Sequence, residues 1–277
     1  MTTSLFAEII EANKILAFVP FVRPDSFIFL NVAGTLYAPS NALTDDRWRE
    51  YFSDRVTDKV DDQEAGQQLI NKIKNQMIQK IPKKKIEEIT PQLIAYLQER
   101  SVVVLGIKQN ITPYADHCGE ITHRHLLSLG IQFERTLSYF PKPKENLEKE
   151  NLSFTHGILF TNHQPVGPAL TAFLEQSYRR PDHIVMVDHS LDSLESAQQA
   201  LTSLGISFTG IRYSRADTQE DFDPTIGTIE FLAFVNEGKI LSDEEAVSTM
   251  PTDRSLNYEV LLDQYIQQAM CADSSDD

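Results

Sequence analysis

FIFLNVAGTL, residues 27–36, is the stretch on which the fold turns. Phe27, Ile28, Phe29, Leu30 and Val32 are all large and apolar, and the run breaks off in a Gly-Thr pair. A strand with one face in water alternates apolar and polar residues. A strand covered on both faces need not, and parallel sheets supply that setting. Three further runs read the same way: VVVLGI (102–107), GILFTN (157–162) and HIVMVDH (183–189). A helical pattern follows each of the three. The first, 115–130, ends at Gly130. The second, 165–180, ends on Arg179 and Arg180, cations suited to the negative end of a helix dipole. The third, 193–205, ends at Gly205, where a left-handed residue closes a helix. Strand–helix alternation predicts an α/β fold built on a doubly wound parallel sheet.

Outward from these runs the pattern changes. Residues 41–100 are charged, helix-prone and poor in glycine, and Ile70, Ile73, Met77 and Ile81 fall on one helical face. They predict a small helical cap insertion over 37–98, interrupting a core made of 1–36 and 99–262. Leu5, Ile9, Ala12 and Leu16 recur at helical spacing and predict an amphipathic first helix. The lysines at 83–85 read as a solvated turn and 141–155 as an exposed loop. A helical pattern resumes over 259–270, and 263–277 read as a polar, acidic C-terminal tail. Trp48 and Tyr114 read as packing residues. His117, His123 and His125 read as surface or partly packed residues of one helical stretch.

Bulk composition narrows the function classes. The 277 residues carry a formal net charge of -15. No basic stripe exists to displace phosphate counterions, which argues against nucleic acid as a partner. The two cysteines, Cys118 and Cys271, offer neither a disulfide framework nor a zinc spacing, which fits a reducing compartment. The N-terminal stretch has Glu8 and Glu11, no basic leader and no long apolar run, so neither a secretory signal nor membrane insertion is expected.

The segment 27–36 resembles motif I of the haloacid dehalogenase-like (HAD) phosphatases, in which a strand delivers an aspartate nucleophile and, two residues on, an acid that protonates the leaving group. Those positions here are Asn31 and Ala33, while Gly34 and Thr35 are kept. By the same resemblance, 102–108 stand where motif II places a hydroxyl for the phosphoryl group, read as Gly106. Residues 157–174 stand for motif III, with Val166 in place of the phosphate-neutralising lysine. Residues 183–194 stand for motif IV, a strand ending in two magnesium-holding acids, here Asp188 and His189. Within that superfamily the chain resembles the bacterial DUF2608 group, also through 205–217 and 238–246. The resemblance implies a HAD-like Rossmannoid sheet with a helical cap.

The chemistry can be judged residue by residue. An aspartyl-phosphate needs an anionic nucleophile, and an amide at 31 is not one. Ala33 offers no proton. Magnesium needs several carboxylate oxygens, so no metal or other cofactor is expected, with Asp188 the one weak candidate ligand. Gly106 and Val166 supply neither hydroxyl nor cation to a transferring phosphoryl group. These departures point to a pseudophosphatase that binds or regulates, its partner a protein or a small molecule. The binding candidates at the strand ends are Asn31, Gly34, Thr35, Lys108, Asn162, His163, Asp188 and His189. The alternative is a HAD-like hydrolase with altered chemistry on a phosphorylated substrate, using magnesium and the Asp188, His189 and His163 side chains. Cytoplasmic residence is the expected location. The DUF2608-like group occurs in intracellular bacteria, and 263–277 resemble the tails of type IV secretion substrates, which implies export into a host cell as the second location.

Overall fold

The computed structural model describes residues 6–109, 115–140, 147, 151–177, 179–217, 222–250 and 256–273. Its strands are β1 (Ala7–Ala12), β2 (Phe27–Asn31), β3 (Tyr37–Ala38), β4 (Lys84–Lys85), β5 (Val103–Lys108), β6 (Ser153–Thr155), β7 (Ile158–Phe160), β8 (His183–Asp188) and β9 (Ser207–Tyr213). Its helices are α1 (Asp46–Lys59), α2 (Gln63–Lys80), α3 (Thr90–Glu99), α4 (Ala115–Ser128), α5 (Val166–Gln176), α6 (Leu191–Ser203), α7 (Pro224–Glu237), α8 (Asp243–Thr249) and α9 (Tyr258–Asp273). The chain divides into two compact units, residues 1–38 with 84–218 and residues 39–83 with 219–277.

The first unit is built on a seven-stranded sheet of order β1-β9-β8-β2-β5-β7-β6. The four apolar runs are its central strands, all parallel: β2 pairs with both β8 and β5, and β5 pairs with β7. Only β6 is antiparallel, in a hairpin with β7 at the sheet edge. Both faces are covered, as the missing alternation requires. On one face Leu30, Val104, Ile158 and Val187 pack with Leu93, Ile94 and Leu97 of α3 and Leu126 of α4. On the other, Phe29, Leu105, Leu159 and Met186 pack with Leu170 and Phe173 of α5 and Leu194, Ala197 and Leu201 of α6. Each fully buried side chain of this size contributes about 1.5–3 kcal/mol.

From β2 the chain moves outward through β5 to β7, then crosses back to β8 on the other side of β2 and continues to β9. The order therefore reverses between β2 and β8. A crevice outside the carboxyl ends of strands opens at such a reversal, and ligands of open α/β sheets bind there.

Several expectations are corrected. Residues 7–12 form an edge strand, not a helix: β1 pairs in parallel with β9 from Ala7↔Phe208 to Ala12↔Tyr213. Six residues are too few for helical spacing to outweigh a full ladder of backbone hydrogen bonds. A 3-10 turn over Ile15–Phe21 follows, with Ile15 and Phe18 buried. Within the expected 141–155 loop, Ser153–Thr155 is strand β6, and Leu147 and Leu152 are buried; 141–146 and 148–150 lie outside the described residues. So do Tyr114 and the side chains of His117 and Cys118.

The second unit is helical. Its core joins Trp48, Phe52 and Val56 of α1, Leu69, Ile70, Ile73 and Met77 of α2, Phe231 and Phe234 of α7, and Leu262 and Ile266 of α9. Asp45, Asp62 and Asp223 cap α1, α2 and α7 through their carboxylates. Gly227 lets α7 approach the indole: a Cβ there would lie 2.2 Å from Trp48 Cδ1. The tail expected over 263–277 is helical as far as Asp273, because Leu262 and Ile266 bury in this core; 274–277 lie outside the described residues. The helix α3, read from sequence as part of the insertion, belongs with the sheet unit.

Candidate functional site

The ends of β2 and β8 meet at the reversal point. Asn31 closes β2, and its amide Nδ2 donates to Asp188 Oδ1 at 2.5 Å. The same carboxylate oxygen accepts from the backbone N–H of Ser190 at 2.9 Å and lies 3.3 Å from His189 Nδ1. Asp188 is 1% exposed, whereas the His189 side chain is 41% exposed. Ser190 has a double role that the sequence reading did not assign. Its N–H fixes Asp188, and its hydroxyl accepts from Ser193 N as the N-cap of α6.

The loop after β2 is shaped by backbone hydrogen bonds. Val32 O accepts from Leu36 N and Tyr37 N, and Gly34 N donates to Tyr37 O at 2.9 Å. Gly34 has φ +76, and a Cβ on it would come within 2.8 Å of His189 Nδ1. A side chain there would be strained and would also displace the imidazole. Thr35 is buried, and its hydroxyl makes no hydrogen bond among the described residues. Ala33 is half-buried beside Gly34 and carries no functional group.

The other candidates lie on β5, at the start of α5 and in the turn after β7. Gly106 is paired with Leu30 inside the sheet, one register position short of Asn31. A Cβ on it would meet Ile158 and Phe133 at 3.1 Å, so the position faces the core and not the strand ends. Val166 is 2% exposed and packs in the core beside α5 and α6. Lys108 does reach the end of β5, but its Nζ donates to Thr122 Oγ1 of α4 at 2.9 Å. Asn162 and His163 form the turn after β7, both with left-handed backbone at φ 42 and 75, and Asn162 O accepts from Asn151 Nδ2. His163 is exposed. Sequence order thus brings Asn31, Gly34, Asp188 and His189 together, and leaves Gly106 and Val166 in the core.

Asn31 decides how this cluster is held together. Two carboxylates at this distance would repel, and would need a cation or a proton between them. An amide facing a carboxylate needs neither, because it donates directly. The arrangement holds itself together as a neutral–anionic hydrogen bond with an imidazole at its rim.

Comparison with known proteins gives a family and three relatives. The family described as "Protein of unknown function (DUF2608)" matches residues 6–247. A "Putative outer membrane protein" of Chlamydia trachomatis serovar D is 25% identical over 165 residues, covering 59% of this chain and 58% of that one. A protein of the same name from Chlamydia pneumoniae is 30% identical over 129 residues, 46% of each chain. One from Chlamydia muridarum is 24% identical over 166 residues, 59% of this chain and 58% of that one. The chain therefore spans less than two thirds of the length of these relatives. No solved structure matches it. No helix among the described residues is long and apolar enough to cross a membrane.

Proposed function

The chain belongs to the DUF2608 family, and we propose that it is a catalytically inactive, HAD-like pseudophosphatase that acts by binding. One observation carries the reading. The acid at the end of β8, Asp188, is buried and already held by the Asn31 amide and the Ser190 N–H on one oxygen. The amide stands where the resemblance puts the nucleophile, so the group that should attack phosphorus instead occupies an oxygen of the group that should hold the metal. Ala33 offers no acid, and the lysine position of motif III, Val166, is buried in the core. A phosphoryl group at these strand ends would meet an amide in place of the nucleophile, and the Lys108 ammonium at the end of β5 already donates to Thr122.

The ligand fits the same argument. A chain of net charge -15 suits a protein partner with basic character or an uncharged small molecule better than a free phosphate ester. One feature favours the altered-chemistry alternative: His189, half-exposed beside Asp188, has the makings of a His–Asp base. Magnesium titration by calorimetry separates the two. The pseudophosphatase reading expects no site tighter than millimolar. A micromolar magnesium site that disappears in Asp188→Ala overturns it in favour of a metal-assisted hydrolase.

Location belongs to the same proposal. The chlamydial relatives carry an outer-membrane name. For this chain we propose residence in the soluble fraction, from which it can be exported. Fractionation of the bacterium tests this, and recovery in the detergent-extracted envelope alone would contradict it.

A further inference from the structure

A second cluster of ligating side chains lies in the sheet unit, before β7 and not at the ends of β2 and β8. Glu120 and His123 come from α4. Glu134 opens the 3-10 turn Glu134–Ser138, and His156 sits in the turn joining β6 to β7. That turn is a two-residue hairpin with both central residues left-handed, His156 at φ 53 and Gly157 at φ 77. Gly157 is seated on the chain just ahead of Glu134: a Cβ on it would lie 2.8 Å from the Phe133 carbonyl oxygen. The hairpin thereby carries His156 to the two acids. Its Nδ1 is 2.5 Å from Glu134 Oε1 and its Nε2 is 2.8 Å from Glu120 Oε1. The His123 ring stacks on it with centroids 3.8 Å apart, and His123 Nε2 is 3.7 Å from Glu134 Oε2. One ligand atom from each of His123, Glu134 and His156 lies within 4.8 Å of the others.

We propose that His123, Glu134 and His156 form a binding site for a divalent transition metal of the zinc class, with Glu120 as the residue that orients His156. Two imidazoles and one carboxylate make a nitrogen–oxygen set that suits zinc, cobalt or nickel, and not the all-oxygen shells of magnesium and calcium. With a metal on Nδ1, Glu120 would accept from His156 Nε2–H and so hold the ring in the tautomer that the metal needs. This is the carboxylate–histidine–metal arrangement by which outer partners position ligands. The two stacked rings would repel if both were protonated, and a shared metal removes that conflict. His123, His156 and Glu134 are not buried, so side-chain rotation alone can draw their ligand atoms in to zinc distances of about 2.0–2.2 Å. Three protein ligands leave a fourth position open to water or an exogenous ligand.

Proton and metal compete for the same atom. A histidine binds metal only in its neutral form, so metal affinity falls as the solution is acidified.

The test uses the full chain stripped with chelator and desalted. Zinc chloride is titrated by calorimetry at pH 7.5 and at pH 6, with thermal unfolding followed in parallel. The expected result is one equivalent of zinc at micromolar Kd or tighter, a raised Tm, and at least tenfold weaker binding at pH 6. Cobalt should give a visible absorption spectrum of low-symmetry, four-coordinate type. His156→Asn keeps a residue that tolerates the left-handed turn, and it should weaken zinc by tenfold or more. His123→Ala should do the same without touching the hairpin, and Glu120→Gln should cost about tenfold. No zinc binding, or a Kd and stoichiometry unchanged in both histidine variants, overturns the proposal. A lowered Tm of His156→Asn with zinc affinity intact also overturns it, and would leave the cluster as an ion-pair network that pins the hairpin.

Discussion

Glu230 offers a quantitative trial of the helical unit. It lies on α7 with no exposed surface, and its Oε2 accepts from the backbone N–H of Leu43 at 2.7 Å. Burial, and then the neighbouring Asp243 carboxyl, push its pKa up to about 8. The folded protein thus holds a proton that the unfolded chain releases near pH 4.5. A raised folded pKa gives stability that is fully present below the unfolded value and is lost as the pH rises through the folded one. At about 1.36 kcal/mol per pH unit, the window from about 4.5 to about 8 is worth about 5 kcal/mol at most. Glu230→Gln keeps a carbonyl acceptor for Leu43 and needs no proton to sit beside Asp243. Trp48, the chain's single tryptophan, lies 5.1 Å ring to ring from Phe231 in the same core and reports the unfolding. Urea unfolding of both proteins by tryptophan fluorescence at pH 5, 6.5 and 8 gives the comparison. The advantage of the variant should be small at pH 5, grow by up to about 1.4 kcal/mol per pH unit, and level off near pH 8. Parallel pH profiles for the two proteins would refute the reasoning, since they would mean that Glu230 folds as an ordinary carboxylate.

Two further outcomes follow from the sheet unit. Gly106→Thr, which the phosphatase resemblance reads as a repair, should instead cost about 1–3 kcal/mol by overpacking Ile158 and Phe133, read as a lower urea midpoint with no gain of activity. His183 is buried between Ser26 Oγ and Thr209 Oγ1, and burial first, then the Arg23 charge, lower its pKa to about 4. Between about pH 6.5 and 4 the unfolded chain binds the extra proton, so the sheet should lose up to about 3 kcal/mol as the pH falls through that window. Far-UV circular dichroism in urea at pH 4.5, 5.5 and 6.5 should show that slope, and His183→Gln should flatten it.

The central strands were legible because burial on both faces leaves a local mark: β2, β5, β7 and β8 are near-continuous apolar runs. β1 left no such mark. AEIIEA has no fully buried residue, and the ladder that makes it a strand comes from β9, about 200 residues away. β9 itself carries Gly210 at its centre, which breaks the apolar run, and reads as a strand only beside its neighbours. At the site, Asn31 and Asp188–His189 were legible because a strand's end is where its run stops. Gly106 was misplaced because VVVLGIK gives no sign of where β5 passes Asn31; only the pairing with Leu30 shows that the position is internal. The His123–Glu134–His156 cluster draws on three elements and could not be assembled from spacing. His156-Gly157 between SFT and ILF is nonetheless a two-residue hairpin signal, though the polar stretch ahead of it reads as one long loop. The union of α1 and α2 with α7 and α9 rests on complementary apolar faces, which composition does not reveal.

We propose that the ends of β2 and β8 perform no phosphoryl chemistry, because Asn31 stands where the resemblance puts a nucleophile and its amide occupies Asp188. The most direct test is hydrolysis of p-nitrophenyl phosphate and of a set of phosphorylated metabolites by the wild-type chain, with and without magnesium, beside Asn31→Ala. The account predicts that both proteins release phosphate at the background rate, and that Asn31→Asp stays there too, since Ala33 and Val166 still supply neither acid nor cation. Turnover by the wild type clearly above background, and abolished in Asn31→Ala, would contradict it.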